Sequence, residues 1–139
     1  MKAKLETEVR RLRDAELTLA AELRAVGEGH PGDHDVFHLS QTLAKQCDAH
    51  AKRVGELVGP GQPPAVAPSS RELLDDLRRL YATAGEVQIA ATIVKQGAMA
   101  AREKELLDAV EQSLPETEVQ VKWLKTRIKT AAPQALAAS

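Results

Sequence analysis

Apolar side chains recur at steps of three and four residues through most of the chain, which is the period of an amphipathic α-helix. The first stripe of this kind consists of Leu5, Val9, Leu12, Leu19, Leu23 and Val26. After a turn at Pro31 and Gly32, a second stripe follows, made of Val36, Leu39, Leu43, Cys47, His50, Val54 and Leu57. The two stripes predict helices over about 4–27 and 33–58, joined as an antiparallel hairpin.

The next segment, 59–70, is too rich in proline for a helix and predicts an extended linker. At ~3.1 Å per residue, such a linker can run the length of a ~25-residue helix. The third helix can therefore start beside the start of the second. Ser69 and Glu72 form a capping-box pattern, which predicts that helix three starts near Arg71.

Helix three is predicted over 71–112. Between Ala82 and Ala101 it is apolar on nearly all sides, which is typical of the most buried helix of a bundle. The sequence leaves open whether this helix is continuous or broken near Gly97.

A new helix-start pattern follows, with a proline in the first turn and a capping box around it, at Ser113, Pro115 and Glu116. Helix four is therefore predicted over 115–131. The expected fold class is all-α: one domain over 1–139, a four-helix bundle of two hairpins joined by a long proline-rich crossover.

Charge and composition narrow the possible partners and location. The chain has 19 Lys and Arg against 20 Asp and Glu, so nothing indicates nucleic acid or an anionic membrane as a partner. No apolar run reaches the ~18 residues of a membrane span, and charges follow Met1 where a signal peptide would be apolar. The single cysteine, Cys47, excludes an intrachain disulfide. We expect a soluble, cytoplasmic protein.

Each predicted helix carries one polar side chain where its apolar stripe would place an apolar one. These residues are Glu16, His50, Glu86 and Glu118, with Cys47 one turn before the histidine. A buried carboxylate is costly unless it is paired. Three interpretations remain open: a polar layer that fixes the register of the helices, a single metal ion held by these side chains, or solvated side chains at the edge of the bundle.

The helix order, the crossover and these polar positions resemble the ferritin-like superfamily. Among its branches the chain looks most like the small stress-associated bundles, in which a short polar segment (here 48–52) surrounds the helix-two histidine. The resemblance implies a site in which two helices each supply a Glu and the other two each supply a Glu-x-x-His pair to two iron or manganese ions.

Only part of that ligand set is present. The matching positions are Glu16, Glu86, His50 and Glu118. Cys47 stands where a Glu should be, and Val121 stands where the second His should be. The resemblance therefore implies a degenerate site, with no oxygen-activating di-iron centre and at most a single iron, manganese or zinc ion.

A second possible metal site lies at the start of helix two. His34 and His38 are one helical turn apart, the spacing at which two imidazoles can hold one divalent ion. The alternative is that both are solvated surface histidines.

The sequence has no glycine-rich phosphate loop, no Ser-His-Asp arrangement and no Cys-x-x-Cys, so nucleotide-dependent and hydrolytic chemistry have no support. We expect a non-catalytic ferritin-like bundle with an accessory or binding role. One alternative is a metal-binding ferritin-like protein with a reduced site. Another is an oligomeric structural or adaptor module with helix three as its seam. A protein partner or self-association is expected.

Overall fold

The computed structural model describes residues 1–137, and the chain there is helical outside its connecting segments. The four helices are α1 (Ala3–Gly29), α2 (His34–Val58), α3 (Leu73–Ala101) and α4 (Lys104–Ala137). No β-strand occurs in this part of the chain, so the prediction of an all-α fold with four helices is confirmed. The last two residues of the predicted domain, 138 and 139, lie outside the described residues.

The helices pack as two hairpins laid side by side. α1 packs on α2 and α3 packs on α4, while α1 also packs on α3 and α2 on α4. Over residues 1–137 the backbones of the diagonal pairs, α1 with α4 and α2 with α3, do not approach one another closely. The bundle therefore has a square cross-section, and each helix turns one side toward the shared core and the opposite side toward solvent.

The linker between the hairpins runs along α1. Near its beginning, the Arg13 guanidinium Nη1 donates a hydrogen bond of 2.8 Å to the carbonyl oxygen of Gly59. Past its other end, His30 Nε2 lies 2.7 Å from a carboxylate oxygen of Asp76 in the first turns of α3. The linker thus spans from the middle of α1 to its end, and α3 starts at the same end of the bundle as α2 and runs antiparallel to α1.

The boundary between the last two helices was predicted wrongly. The break lies at Arg102, which adopts the left-handed conformation (φ 55°, ψ 40°) and ends α3, whereas 71–112 was predicted as one helix or as one broken near Gly97. α4 then starts at Lys104 and continues to Ala137, instead of spanning 115–131. Helix three also starts at Leu73, with Glu72 as its N-cap.

The misleading start signal lies inside α4, where its residues have other roles. Pro115 is exposed, so the carbonyl that loses its hydrogen bond to the missing N–H can be solvated instead. The hydroxyl of Ser113 donates to the carbonyl of Ala109 at 3.0 Å and caps nothing. Glu116 reaches across to α2 rather than back to the backbone.

Gly97 allows close packing between helices. It lies inside α3, and a Cβ built on it would lie 2.9 Å from Leu5 Cδ1 at the start of α1. The absence of a side chain therefore lets the first turn of α1 approach α3. The sequence left open whether helix three breaks near this residue, and it does not, because glycine in a helix costs only ~1 kcal/mol relative to alanine.

Burial of aliphatic side chains, worth ~25 cal/mol per Å² of apolar surface, stabilises the bundle. The largest fully buried apolar side chains are Leu19, Leu23, Leu77, Leu80, Leu106 and Leu124, and the polar side chains Glu16, His50 and Gln120 are as deeply buried. Over the described residues, none of the helices combines the length and the apolar character needed to cross a bilayer.

Candidate functional site

The buried polar cluster begins with Glu16 on α1 and His50 on α2. Each is 1% exposed, and Glu16 Oε2 lies 2.8 Å from His50 Nδ1. Both residues continue the apolar stripes of their helices, so the packing of α1 on α2 brings them face to face. Of the three interpretations left open, solvated positions at the edge of the bundle do not apply to these two residues, and Glu16 pairs with the imidazole through Oε2.

A second carboxylate completes the arrangement from α4. Glu116 Oε1 lies 2.7 Å from His50 Nε2, so each nitrogen of the imidazole faces one carboxylate. The Glu116 side chain is 41% exposed and connects the buried pair to solvent. This role was not predicted, because Glu116 also fits the pattern of a helix cap. We name Glu16, His50 and Glu116 the polar triad.

Glu86 and Glu118, expected to join this cluster, are both exposed. On α4 the buried face in this region is Ser113, Thr117 and Gln120, so Glu118 is turned away from the core. The prediction that Glu118 faces the core was wrong because the buried face of α4 is polar here. The apolar stripe was therefore assigned through the half-buried Leu114 and Val121, which lie beside that face.

On α3, Glu86 lies on the face opposite the buried Ala84, Val87 and Ala91. That segment is apolar all round, so the sequence did not indicate which side faces the core.

Cys47 adjoins the triad from the interior of α2. It is 0% exposed, and its Sγ donates to Gln120 Oε1 at 3.7 Å, while Gln120 Nε2 donates to Gln46 Oε1 at 2.9 Å. Burial raises the pKa of the Cys47 thiol well above its ordinary range, and the negative charge of Glu16 raises it further. The thiol is therefore protonated near neutral pH and is a weak nucleophile.

The protonation of the triad is set by burial and pairing together. Burial raises the pKa of Glu16, and the hydrogen bond and charge of His50 reverse this only in part. Burial lowers the pKa of His50, but its hydrogen bonds to Glu16 and Glu116 and their charges outweigh this and leave the pKa raised. A doubly protonated imidazole can donate to both carboxylates, whereas a neutral one has a single donor.

The side chains of the cluster pair with one another. Within residues 1–137, no group of three or more His, Cys, Asp or Glu side chains has a geometry that could hold a metal ion. Glu16 Oε1 is buried without a hydrogen-bond partner, and both nitrogens of His50 already face carboxylates. A single ion bound by these residues stays a prediction. The alternative metal site at the surface also stays a prediction. Its two residues, His34 and His38, are exposed, and their rings are nearly parallel with centroids 6.3 Å apart.

The stability of the protein should fall as pH rises through the titration of His50. Because its pKa is raised above the ordinary 6.5, the folded state holds the proton more tightly than the unfolded chain. This contribution is fully present below pH 6.5 and is lost as pH rises through the raised pKa. Glu16, whose pKa is also raised, acts in the same direction from pH 4.5 upward. We expect the free energy of unfolding in urea to fall above about pH 6.5, by at most ~1.4 kcal/mol per pH unit for each of the two groups.

The matched variant is His50→Gln, which keeps a hydrogen-bonding side chain but does not titrate. Its stability should vary less with pH than that of the wild type over the same window. A wild-type protein that becomes more stable above pH 6.5 would contradict the raised pKa of His50.

A second buried polar group holds the end of the linker. Asp76 is 2% exposed and accepts hydrogen bonds from the hydroxyl of Ser69 (2.5 Å) and the backbone N–H of Ser70 (3.0 Å), and His30 Nε2 lies 2.7 Å away. Ser69 was predicted as part of a helix cap, and no role was predicted for Asp76. The cluster fastens the linker, the end of α1 and the start of α3 together, which is a structural role.

The outward side of α3 is unexpectedly apolar. Ile89 is 53% exposed, Ile93 48% and Met99 51%, although this helix was expected to be the most buried of the bundle. Six of the exposed positions follow one another at alternating steps of four and three residues along one face: Ala82, Glu86, Ile89, Ile93, Gln96 and Ala100. We name these six residues the outer stripe.

Comparison of the chain with family models, with curated proteins and with solved structures finds no match.

Proposed function

We propose that this protein is a non-catalytic helical bundle of the ferritin-like type, located in the cytoplasm, which acts by binding protein through the outer stripe of α3. The observation that carries the proposal is the exposure of Ile89 and Ile93, about half of each side chain, at the centre of that stripe. Contiguous exposed apolar surface on a folded protein marks an interaction site far more often than isolated apolar residues do.

The buried polar groups support a binding role over a catalytic one. Each nitrogen of His50 is paired with a carboxylate, and the Cys47 thiol is buried with a raised pKa. A general base or nucleophile must reach a substrate, and these groups are enclosed by the helices that they join. We assign the polar triad the role of fixing the relative positions of α1, α2 and α4.

The outer stripe is also well placed for contact. It lies on the face of α3 opposite the core residues Val87 and Val94, so a partner can cover it without disturbing the bundle. Its two isoleucines are stiff at χ1 and lose little side-chain freedom on binding.

Replacing Ile89 with arginine tests the proposal. We expect fluorescently labelled wild-type chain to sediment faster than a 15.0 kDa monomer, in buffer or in cell extract, and the Ile89→Arg chain to sediment as a monomer in both. The stability of the variant should change by less than ~0.5 kcal/mol because the side chain lies on the surface.

The control is Val119→Arg, which adds the same charge at another exposed apolar residue, on α4 (63% exposed). It should sediment like the wild type. If the wild-type chain is a monomer in both buffer and extract, or if Ile89→Arg changes nothing, the outer stripe is not a binding surface.

A further inference from the structure

The outer stripe has the spacing of a coiled-coil seam. Its alternating steps of four and three residues assign Glu86, Ile93 and Ala100 to heptad position a, and Ala82, Ile89 and Gln96 to position d. The six residues cover about 27 Å of helix, at ~1.5 Å per residue. Residues at these positions meet their counterparts on a second helix in successive layers.

The residues of the outer stripe are complementary to one another when a second copy is antiparallel. In that arrangement each a residue meets a d residue of the other helix, and the paired positions lie at equal distances on either side of Ala91. The layers are then Ile93 with the second copy's Ile89, Glu86 with its Gln96, and Ala100 with its Ala82. The large apolar, polar and small residues each meet their own kind.

A parallel pairing lacks this match. There each position meets itself, so the carboxylate of Glu86 would face the same carboxylate of the second copy, which repels. In the antiparallel pairing the amide of Gln96 can donate a hydrogen bond to that carboxylate. The two polar positions therefore select the antiparallel direction.

The edge of the stripe is consistent with the same pairing. Gly85, Thr92 and Met99 lie along one side of it, and in the antiparallel register Met99 faces the second copy's Gly85. A Cβ added at Gly85 would meet nothing within 4 Å, so this position leaves room for a neighbouring side chain. Met99 is 51% exposed, and the pairing would cover it.

From this complementarity we propose that the outer stripe binds a second copy of the same chain, giving an antiparallel homodimer whose two-fold axis passes beside Ala91. This inference rests on the proposed function, because it names the partner of the same surface. A closed two-fold contact of this kind uses one patch on both molecules and leaves no free end for further growth.

Engineered disulfides test the pairing and its direction. In the dimer, residue 82 of one copy lies opposite residue 100 of the other, so a mixture of Ala82→Cys and Ala100→Cys chains should form a disulfide with oxidised glutathione. Each variant alone should not, because the two copies of one cysteine then lie about 27 Å apart, whereas a disulfide needs Cα atoms within ~7 Å. The wild-type chain, whose only cysteine is the buried Cys47, is the control.

The alternatives give different results. Cross-linking of each variant with itself would show a parallel dimer and overturn the proposal. A wild-type chain of 15.0 kDa at all concentrations in buffer, with no cross-link in the mixture, would also overturn it. The proposed function would survive that second result if the chain still sedimented faster in cell extract and Ile89→Arg abolished this, because the stripe would then bind a different protein.

Discussion

Replacing His50 with alanine should lower the free energy of unfolding by about 3–5 kcal/mol, the cost of removing one partner from a buried ion pair. The loss exceeds that of a simple truncation because Glu16, which is 1% exposed in the wild type, loses its pairing with the imidazole. Urea denaturation followed by helical circular dichroism at neutral pH measures this difference.

Two matched variants separate the buried half of the triad from its exposed half. Glu116→Ala should cost less than ~1 kcal/mol because the Glu116 side chain is 41% exposed and its pairing is screened by water. Replacing both buried partners, as Glu16→Met with His50→Leu, should recover most of the loss, since apolar side chains of similar size fill the same space. A cost below ~1 kcal/mol for His50→Ala would show that Glu16 does not depend on the imidazole.

The apolar periodicity of the sequence predicted α1 and α2 to within a few residues, because both helices have a clear buried stripe with polar residues elsewhere. The same periodicity failed at the α3–α4 boundary. There the chain turns at Arg102, a residue with no turn preference that nevertheless adopts the left-handed conformation. The helix-start pattern at Pro115 was a stronger signal in the sequence than any residue near the observed turn at Arg102.

The candidate site was predictable where a polar residue interrupts an apolar stripe. Glu16, Cys47 and His50 were identified in this way, and all three are buried. Glu116 could not be identified by this criterion. It lies beside the stripe of α4 and reaches His50 only because α2 and α4 are neighbours, which the pattern of a single helix does not reveal.

The exposure of the outer stripe was also not predicted from the sequence. An apolar helix in a bundle is expected to be buried, yet α3 turns Ile89 and Ile93 to solvent, because among residues 1–137 its helix neighbours are α1 and α4 alone. Its buried side is formed largely by alanine and valine, which allow close packing and leave the larger isoleucines outside. Composition alone does not distinguish a helix buried in its own bundle from one that a second molecule covers.

Replacing Asp76 with alanine should cost about 2–3 kcal/mol, a second large effect in a different part of the molecule. The carboxylate accepts hydrogen bonds from Ser69 and Ser70 and lies beside His30, so its removal leaves part-buried groups without this partner. It also frees the end of the linker from α1, so amide hydrogen exchange should speed up over 66–72 and less so in the core of the bundle.

Asp75→Ala is the control, because Asp75 is also in the first turn of α3 but is exposed. It loses only the interaction with the helix dipole, at most ~1 kcal/mol.

The pH dependence of the Asp76→Ala effect gives an independent check. Burial raises the pKa of Asp76, but its hydrogen bonds to Ser69, Ser70 and His30 outweigh this and leave the pKa lowered. The stability it contributes is therefore present above pH 3.8 and is lost as pH falls through the lowered pKa. The free energies of unfolding of the wild type and Asp76→Ala should accordingly differ most near neutral pH and converge in acid. A difference that stays constant down to the acid transition would mean that the Asp76 carboxylate does not hold the linker by its charge.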